Sequence, residues 1–357
     1  MPYTVYSCGS NGNYQLGNAT SDDCSCLSPS LFNGSLTIPT QPAQIVCGGN
    51  HTLMLLVNGE VWAAGDNSHG QCGIAAEDSH IRMFRQVPLG GLEVVSVSAG
   101  WEFSVLATAH AVYVCGLGLK GELGLGKGRS RSLKLGEPWV KLVLFPTTIL
   151  LVHSSLSHSV VVLENNLVYG WGNGRRGQLA TADVHWEPVK VEFPGSPLTT
   201  ITDVCLGREF TVVSGKSGDE DMIVFLGRDT FDIQTGLKAK PQHRRALAMW
   251  SSVHLLGDTV VSLGNNSHGQ MYPADSGGDA IHRFAVGSEH GLVQFDNHKV
   301  WSWGWGEHGN CGEHSKPTES VTFDYLNLLH DFGETKVVLI EGGCATSWVV
   351  CEISDTA

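Results

Sequence analysis

The chain has 357 residues, 44 of them glycine, a net charge of −13 and only 16% charged residues. That balance argues against a nucleic-acid binder working through a basic stripe, since neutralising phosphates drives such affinity. It also disfavours a helical fold, because glycine and Val-rich runs displace helical charge patterns. Length alone suggests two domains, but repeat architectures escape that prior because each unit shares its core with its neighbours.

The start, MPYTVYSCG, has neither a basic head nor an apolar run, so no leader is expected. Seven segments then share one punctuation in chain order: CGSNGNYQLG from Cys8, AGDNSHGQCG from Ala64, CGLGLKGELG from Cys115, WGNGRRGQLA from Trp171, LGRDTFDIQTG from Leu226, LGNNSHGQMY from Leu263 and WGWGEHGNCG from Trp303. Their leading glycines (Gly9, Gly65, Gly116, Gly172, Gly227, Gly264, Gly304) are spaced 56, 51, 56, 55, 37 and 40 residues apart, room for about four short strands per unit. Before most motifs runs a turn, an apolar strand, a hairpin tip and a second strand ending in Gly, as in Gly48–Gly65, Ala99–Gly116 and Gly287–Gly304. The C-terminal segment Gly342–Glu352 has strands without a motif, and the motif at Cys8 lacks preceding strands. Joining them predicts an all-β, seven-bladed β-propeller, one domain over 1–357, closed by pairing N- and C-terminal strands in one blade. The fifth unit departs most, lacking the Asn-x-x-Gly core, and the sixth has MWSSVHLL in place of a G-x-x-H turn.

The longest apolar stretch, Leu142–Val152, is broken by Pro146 and too short to span a bilayer. Cysteines inside apolar strands (Cys47, Cys115, Cys205, Cys351) read as small hydrophobes, so the ten thiols are expected reduced, and the cytoplasm is the expected location, with the nucleus as the alternative. The basic groups Lys127/Arg129/Arg131/Lys134, Arg175/Arg176 and Arg244/Arg245 read as solvated loops. The glycines of Gly116–Gly128 imitate a phosphate loop, but the pattern feeds a strand rather than a helix N-terminus.

These motifs resemble the regulator-of-chromosome-condensation repeat family, whose units read roughly G-x-x-H-[ST] and then W-G-x-N-x-x-G-Q-L-G. Within it, WGWGEHGNCG near the C-terminus is similar to a fungal branch of short, all-propeller members, the alpha-tubulin suppressors. That resemblance implies a heterodimer with a small CSL-type zinc-ribbon protein, and support of Elongator-dependent tRNA wobble-uridine modification and of diphthamide biosynthesis. The family also contains guanine-nucleotide exchange factors for small GTPases, the alternative reading. The long inserts Asp22–Pro42 and Lys127–Pro146 are where an exchange wedge would have to lie.

No H-E-x-x-H, G-x-S-x-G or supported carboxylate pair occurs, so a non-catalytic scaffold without cofactor or resident metal is expected. Histidines recurring in the turns (His51, His158, His290) and loops (His69, His268, His308) read mainly as blade geometry. Residues between the turn glycine and the His/Phe position are expected at the propeller mouth: Asn50, Trp101, Glu102, Arg208, Glu209, Ser288, Glu289, Ala345 and Thr346. Trp101 and Arg208 stand out as interface-type side chains. In the last motif Trp303 reads as structural. Trp305 replaces a small or polar residue and, with Glu307, His308 and Asn310, forms an expected docking patch. The partner-binding set is therefore Trp305, Glu307, His308, Asn310, Trp101, Glu102, Arg208, Glu209, Glu289 and His290. No membrane contact and no direct nucleic-acid contact are expected.

Overall fold

The computed structural model describes residues 1–75, 78–132, 138–193, 198–239, 243–273, 280–295, 298–315 and 320–353. Lys134 and the middle of the Lys127–Pro146 insert lie outside them. Among the described residues the chain is all-β apart from one five-residue helix, Ile233–Leu237, and its seven antiparallel sheets are the blades of a β-propeller. It divides into two compact units.

One unit comprises Met1–Ser68, Glu77–Leu89 and Asn266–Ala357, and holds three four-stranded sheets. Its terminal sheet runs Cys24–Pro29, Tyr3–Gly9, Thr346–Glu352, Lys336–Gly342, with Tyr3 opposite Glu352 and Gly9 opposite Thr346. The expected pairing of N- and C-terminal strands is thus present. The insert from Asp22 to Pro42 supplies that sheet's outer strand, then turns back so that Phe32 stacks on Phe84 and Ile38 is buried. It is anchored rather than protruding. The core here includes Val5, Leu16, Met54, Phe84 and Trp348.

The other unit comprises His69–Ala76 and Gly90–Asn265 and holds four sheets, within residues 96–144, 149–190, 200–227 and 245–264. The last two have three strands among the described residues, not the four expected. The short repeat intervals explain this: after Gly227 the chain forms the helix Ile233–Leu237, whose N-cap residue is Asp232 and whose first N–H groups, of Ile233 and Gln234, donate to the Asp229 carboxylate. Phe103, Val105, Val161 and Trp171 represent the core between the first two sheets.

The middle strands are buried on both faces, as the continuous apolar runs HTLMLL (His51–Leu56) and HSVVVL (His158–Leu163) require. Outer strands such as His80–Gln86 alternate buried and exposed positions instead.

The repeat motif is a set of local bonds. Each leading glycine sits at φ between +99° and +120°; at Gly304 (φ +106°) a Cβ would stand 2.6 Å from the Glu289 carbonyl oxygen. That close approach lets the next residue's N–H donate to the same carbonyl: Trp305 to Glu289, Leu117 to Glu102, Arg228 to Glu209. The motif Gln then caps the loop, its side-chain oxygen accepting the N–H two residues earlier, as Gln71 does from His69 and Gln270 from His268. Its backbone carbonyl accepts from a neighbouring blade: Ser104 Oγ donates to Gln71, Trp171 Nε1 to Glu122 and Trp303 Nε1 to Gln270.

Candidate functional site

All seven turns close with an N–H from residue one to the carbonyl of residue four, as in Gly100 to Phe103, Met249 to Ser252 and Gly287 to His290. Residue four is buried in every case. At Gly100, Gly207 and Gly287 the ring of residue four folds over residue one: a Cβ on Gly100 would lie 2.0 Å from Phe103, one on Gly207 2.1 Å from Phe210 and one on Gly287 2.3 Å from His290. The sixth turn carries Met249 there because its fourth residue is the small Ser252. Residue two is the position whose side chain the turn does not use.

In the four-sheet unit, residue two is Trp101, Leu156, Arg208 and Trp250 in successive turns, and all four line one cavity of about 500 Å³. The turns are tied edge to edge, Trp101 N–H donating to Leu156 and Arg208 N–H to Trp250. The indoles of Trp101 and Trp250 lie 6.1 Å apart, tilted by 54°. Trp101 is 44% exposed. Glu102 lies 4.0 Å from the imidazole of His69, and Glu209 is bracketed by Arg176 at 3.5 Å and Arg228 at 3.7 Å. The structure therefore brings Trp101, Glu102, Arg208 and Glu209 together, as the turn pattern suggested. It adds Trp250, missed because its turn lacks the leading glycine. The usable signal was its place two residues before the residue equivalent to Phe103.

In the three-sheet unit, Trp305 stacks on His268 with centroids 4.3 Å apart and planes 12° from parallel. Its Nε1 is buried and has no hydrogen-bond partner among the described residues. Glu307 is exposed, while His308 Nδ1 pairs with Asp23 at 2.8 Å, fixing the loop to the segment before Cys24–Pro29. Glu289 accepts from Gln270 Nε2 at 3.2 Å.

Two expected contact residues sit inside the protein. Asn310 is fully buried, its Nδ2 donating to the Trp305 carbonyl. His290 is fully buried and hydrogen-bonded to Ser347 across to the next sheet; burial pulls its pKa down to about 4. Both hold the framework behind the surface instead of forming it, because turn position four and the motif Asn/Gln point inward. Cys311 is buried as well, its thiol donating to the Trp303 carbonyl and held protonated by desolvation. Trp303 and Trp348 are fully buried, as expected of packing residues.

Seven sheets joined by one recurring turn and loop define a β-propeller built from repeats. Solved structures share that fold: Prp20p of Saccharomyces cerevisiae, studied for its binding to Gsp1p and histones, matches with a TM-score of 0.78 and 18% identity over 99% of this chain and 93% of its own. Human WBSCR16 matches with a TM-score of 0.76 and 14% identity over 98% and 99%. The regulator of chromosome condensation (RCC1) repeat model matches residues 4–55, 58–107 and 165–214, and a second model of that description matches 43–71. An RCC1 repeat-containing protein of Schizosaccharomyces pombe, C10F6.04, is 31% identical over 98% of this chain and 99% of its own length. The chain belongs to the RCC1 repeat family. The secretion-regulating guanine nucleotide exchange factor of Mus musculus is 26% identical over 98% of this chain and 72% of its own.

Proposed function

We propose that the protein is a non-catalytic scaffold that binds a small CSL-type zinc-ribbon protein as a heterodimer. Through it, the protein supports Elongator-dependent wobble-uridine modification and diphthamide biosynthesis, in the cytoplasm or the nucleus. The observation that carries this reading is the loop Trp303–Gly312. Trp305 departs from the family's small or polar loop residue, and Glu307 beside it is exposed with no ion pair among the described residues. His308 and Asn310 hold the loop in place beneath them. An aromatic surface beside an unpaired carboxylate is suited to a protein partner.

The test is a double substitution, Trp305→Ala with Glu307→Ala, followed by copurification with the zinc-ribbon protein. Recovery is expected to fall at least about tenfold, an interface loss of the hot-spot class. Undiminished recovery with a folded propeller overturns the site.

A second reading is favoured by the similarity to an exchange factor of Mus musculus and to Prp20p. In that case the protein accelerates nucleotide release from a small GTPase. A release assay with a Ran-like GTPase separates the two, because the scaffold reading expects no acceleration.

A further inference from the structure

In the sheet within residues 149–190, the outer strand Val184–Lys190 closes the edge of Val168–Asn173, and just past it Val191 N–H donates to the Val168 carbonyl. The sheet within residues 200–227 stops one strand earlier among the described residues, in the order Thr200–Leu206, Phe210–Ser217, Glu220–Gly227. Ile223 stands four residues before its leading glycine, Gly227, as Val168 stands four before Gly172. Its carbonyl has no counterpart of Val191 among the described residues.

The ladder fixes which backbone groups face outward. The Lys216 carbonyl accepts the Thr199 N–H and the Phe210 carbonyl that of Gly207, so both residues turn toward the strand Thr200–Leu206. Their partners across the hairpin are Asp221 and Gly227. Antiparallel pairs alternate between bonded and non-bonded, so Asp221, Ile223 and Phe225 direct N–H and carbonyl away from the sheet. None of these groups has a partner among the described residues. The edge also lacks the usual protection. Eight consecutive pairs join the two strands without a bulge, and Met222 to Leu226 includes no charge and no proline. Ile223 and Phe225 are partly exposed, where Val168 and Gly170 beneath an outer strand are buried. At one end Asp219, Glu220 and Asp221 are exposed, and Lys216, opposite Asp221, balances only one of them.

We infer that Glu220–Gly227 is an interaction surface for strand addition by an extended segment of a partner protein. That segment pairs antiparallel, as the outer strand of every four-stranded sheet does, and is apolar along Met222 to Leu226. Its C-terminal end then lies over Asp219 to Asp221 and carries Lys or Arg there. A second copy of this chain is a poorer occupant. Antiparallel self-pairing about Ile223 sets Asp221 against Phe225 and Asp219 against Gly227, which desolvates carboxylates beside no cation. The strand Val260–Gly264 of the other three-stranded sheet offers less, having five residues and Leu263 packed against Gly236.

The probe is a fluorescein-labelled, end-blocked peptide, Ser-Val-Thr-Val-Thr-Val-Lys-Lys, titrated with full-length protein by fluorescence anisotropy. Saturable binding is expected with a dissociation constant below about 1 mM. Backbone pairing gives it a signature: N-methylating one alternate set of residues (the three valines, or both threonines with the first lysine) abolishes binding, and the other set does not. Ile223→Pro removes an outward N–H and no bond of the native ladder, and should weaken the peptide at least about fivefold. Asp219→Lys with Asp221→Lys should do so by a similar factor and reverse the preference toward a peptide ending in Glu-Glu. Circular dichroism melts exclude loss by unfolding, and the Asp pair, altered only at exposed positions, decides the matter if Ile223→Pro does not fold. Three results overturn the inference: no saturable binding, equal loss from both methylated sets, or indifference to the Asp reversal. A dimer in sedimentation that Ile223→Pro dissolves also overturns it, in favour of self-pairing. Copurification of the zinc-ribbon protein is read separately, since Trp305 belongs to the three-sheet unit.

Discussion

The loop Trp303–Gly312 and the cavity around Arg208 are built from the same repeat, yet their polar atoms are used in opposite ways. In the loop nearly every group is consumed internally. Trp303 donates to Gln270, Ser302 to the Cys311 carbonyl, Cys311 to Trp303 and Asn310 to Trp305, which leaves Glu307 as its outward group. In the cavity the backbone is consumed and the side chains are less so: the turns bond to one another through N–H and carbonyl, while Arg208 is exposed and the half-exposed Trp101 indole meets Trp250. A motif loop therefore presents what remains after packing, whereas a turn presents whatever residue two happens to be. The first is rigid and narrow in its options; the second is open to substitution.

Mutation of the tryptophans breaks this comparison most sharply. Trp303→Ala removes a fully buried indole and its bond to Gln270, and should cost about 3–5 kcal/mol in denaturant unfolding. A loss under about 1 kcal/mol would mean that the loop is not held from inside.

Acid should distinguish the two units next. Burial pulls the pKa of His158 and His254 to about 3 in the four-sheet unit, and of His290 to about 4 in the other. Each is neutral when folded, so below the ordinary value of 6.5 the unfolded chain takes up protons first. Their contribution is complete above that value and declines as pH falls toward 4, by up to about 1.4 kcal/mol per pH unit for each histidine. Amide exchange between pH 7 and pH 4.5 should show the four-sheet unit losing protection faster. Equal loss would transfer the acid response to other groups.

Two smaller effects sharpen the contrast. Trp305→Ala should cost about 1 kcal/mol, the value of its stack on His268, as a modest fall in melting temperature. Trp101→Ala should change stability by no more than about 0.5 kcal/mol, since that indole is substantially exposed. Comparable losses for Trp101→Ala and Trp303→Ala would erase the distinction between presented and packed tryptophans.

The fold was legible because its determinants are local. A glycine at positive φ, a Gln that caps its own loop and an apolar run buried on both faces all leave marks in short stretches of chain. Even the pairing of Tyr3–Gly9 with Thr346–Glu352 could be read from two half-units that lacked each other. The site was legible only where residue type and position agreed. Trp101 and Arg208 were recognised by both. Trp250 was passed over because Met249 breaks the glycine signature, although the turn bond from Met249 to Ser252 is unchanged. His290 and Asn310 were assigned outward by their polarity, whereas Phe103 and Phe210 at the position of His290 already marked it as interior. Direction depends on place in the turn, and polarity alone does not report it. Among the described residues the two three-stranded sheets go with intervals of 37 and 40 residues, shorter than those elsewhere.

The turn whose second residue is held by its backbone alone has a consequence for how such a protein can change. Because Trp101, Leu156, Arg208 and Trp250 contribute their N–H or carbonyl groups to the framework, each side chain can be rewritten without renegotiating the fold. Specificity can then drift one position at a time while stability stays level. A lineage of these proteins could acquire new ligands through single codon changes, with no intermediate that fails to fold.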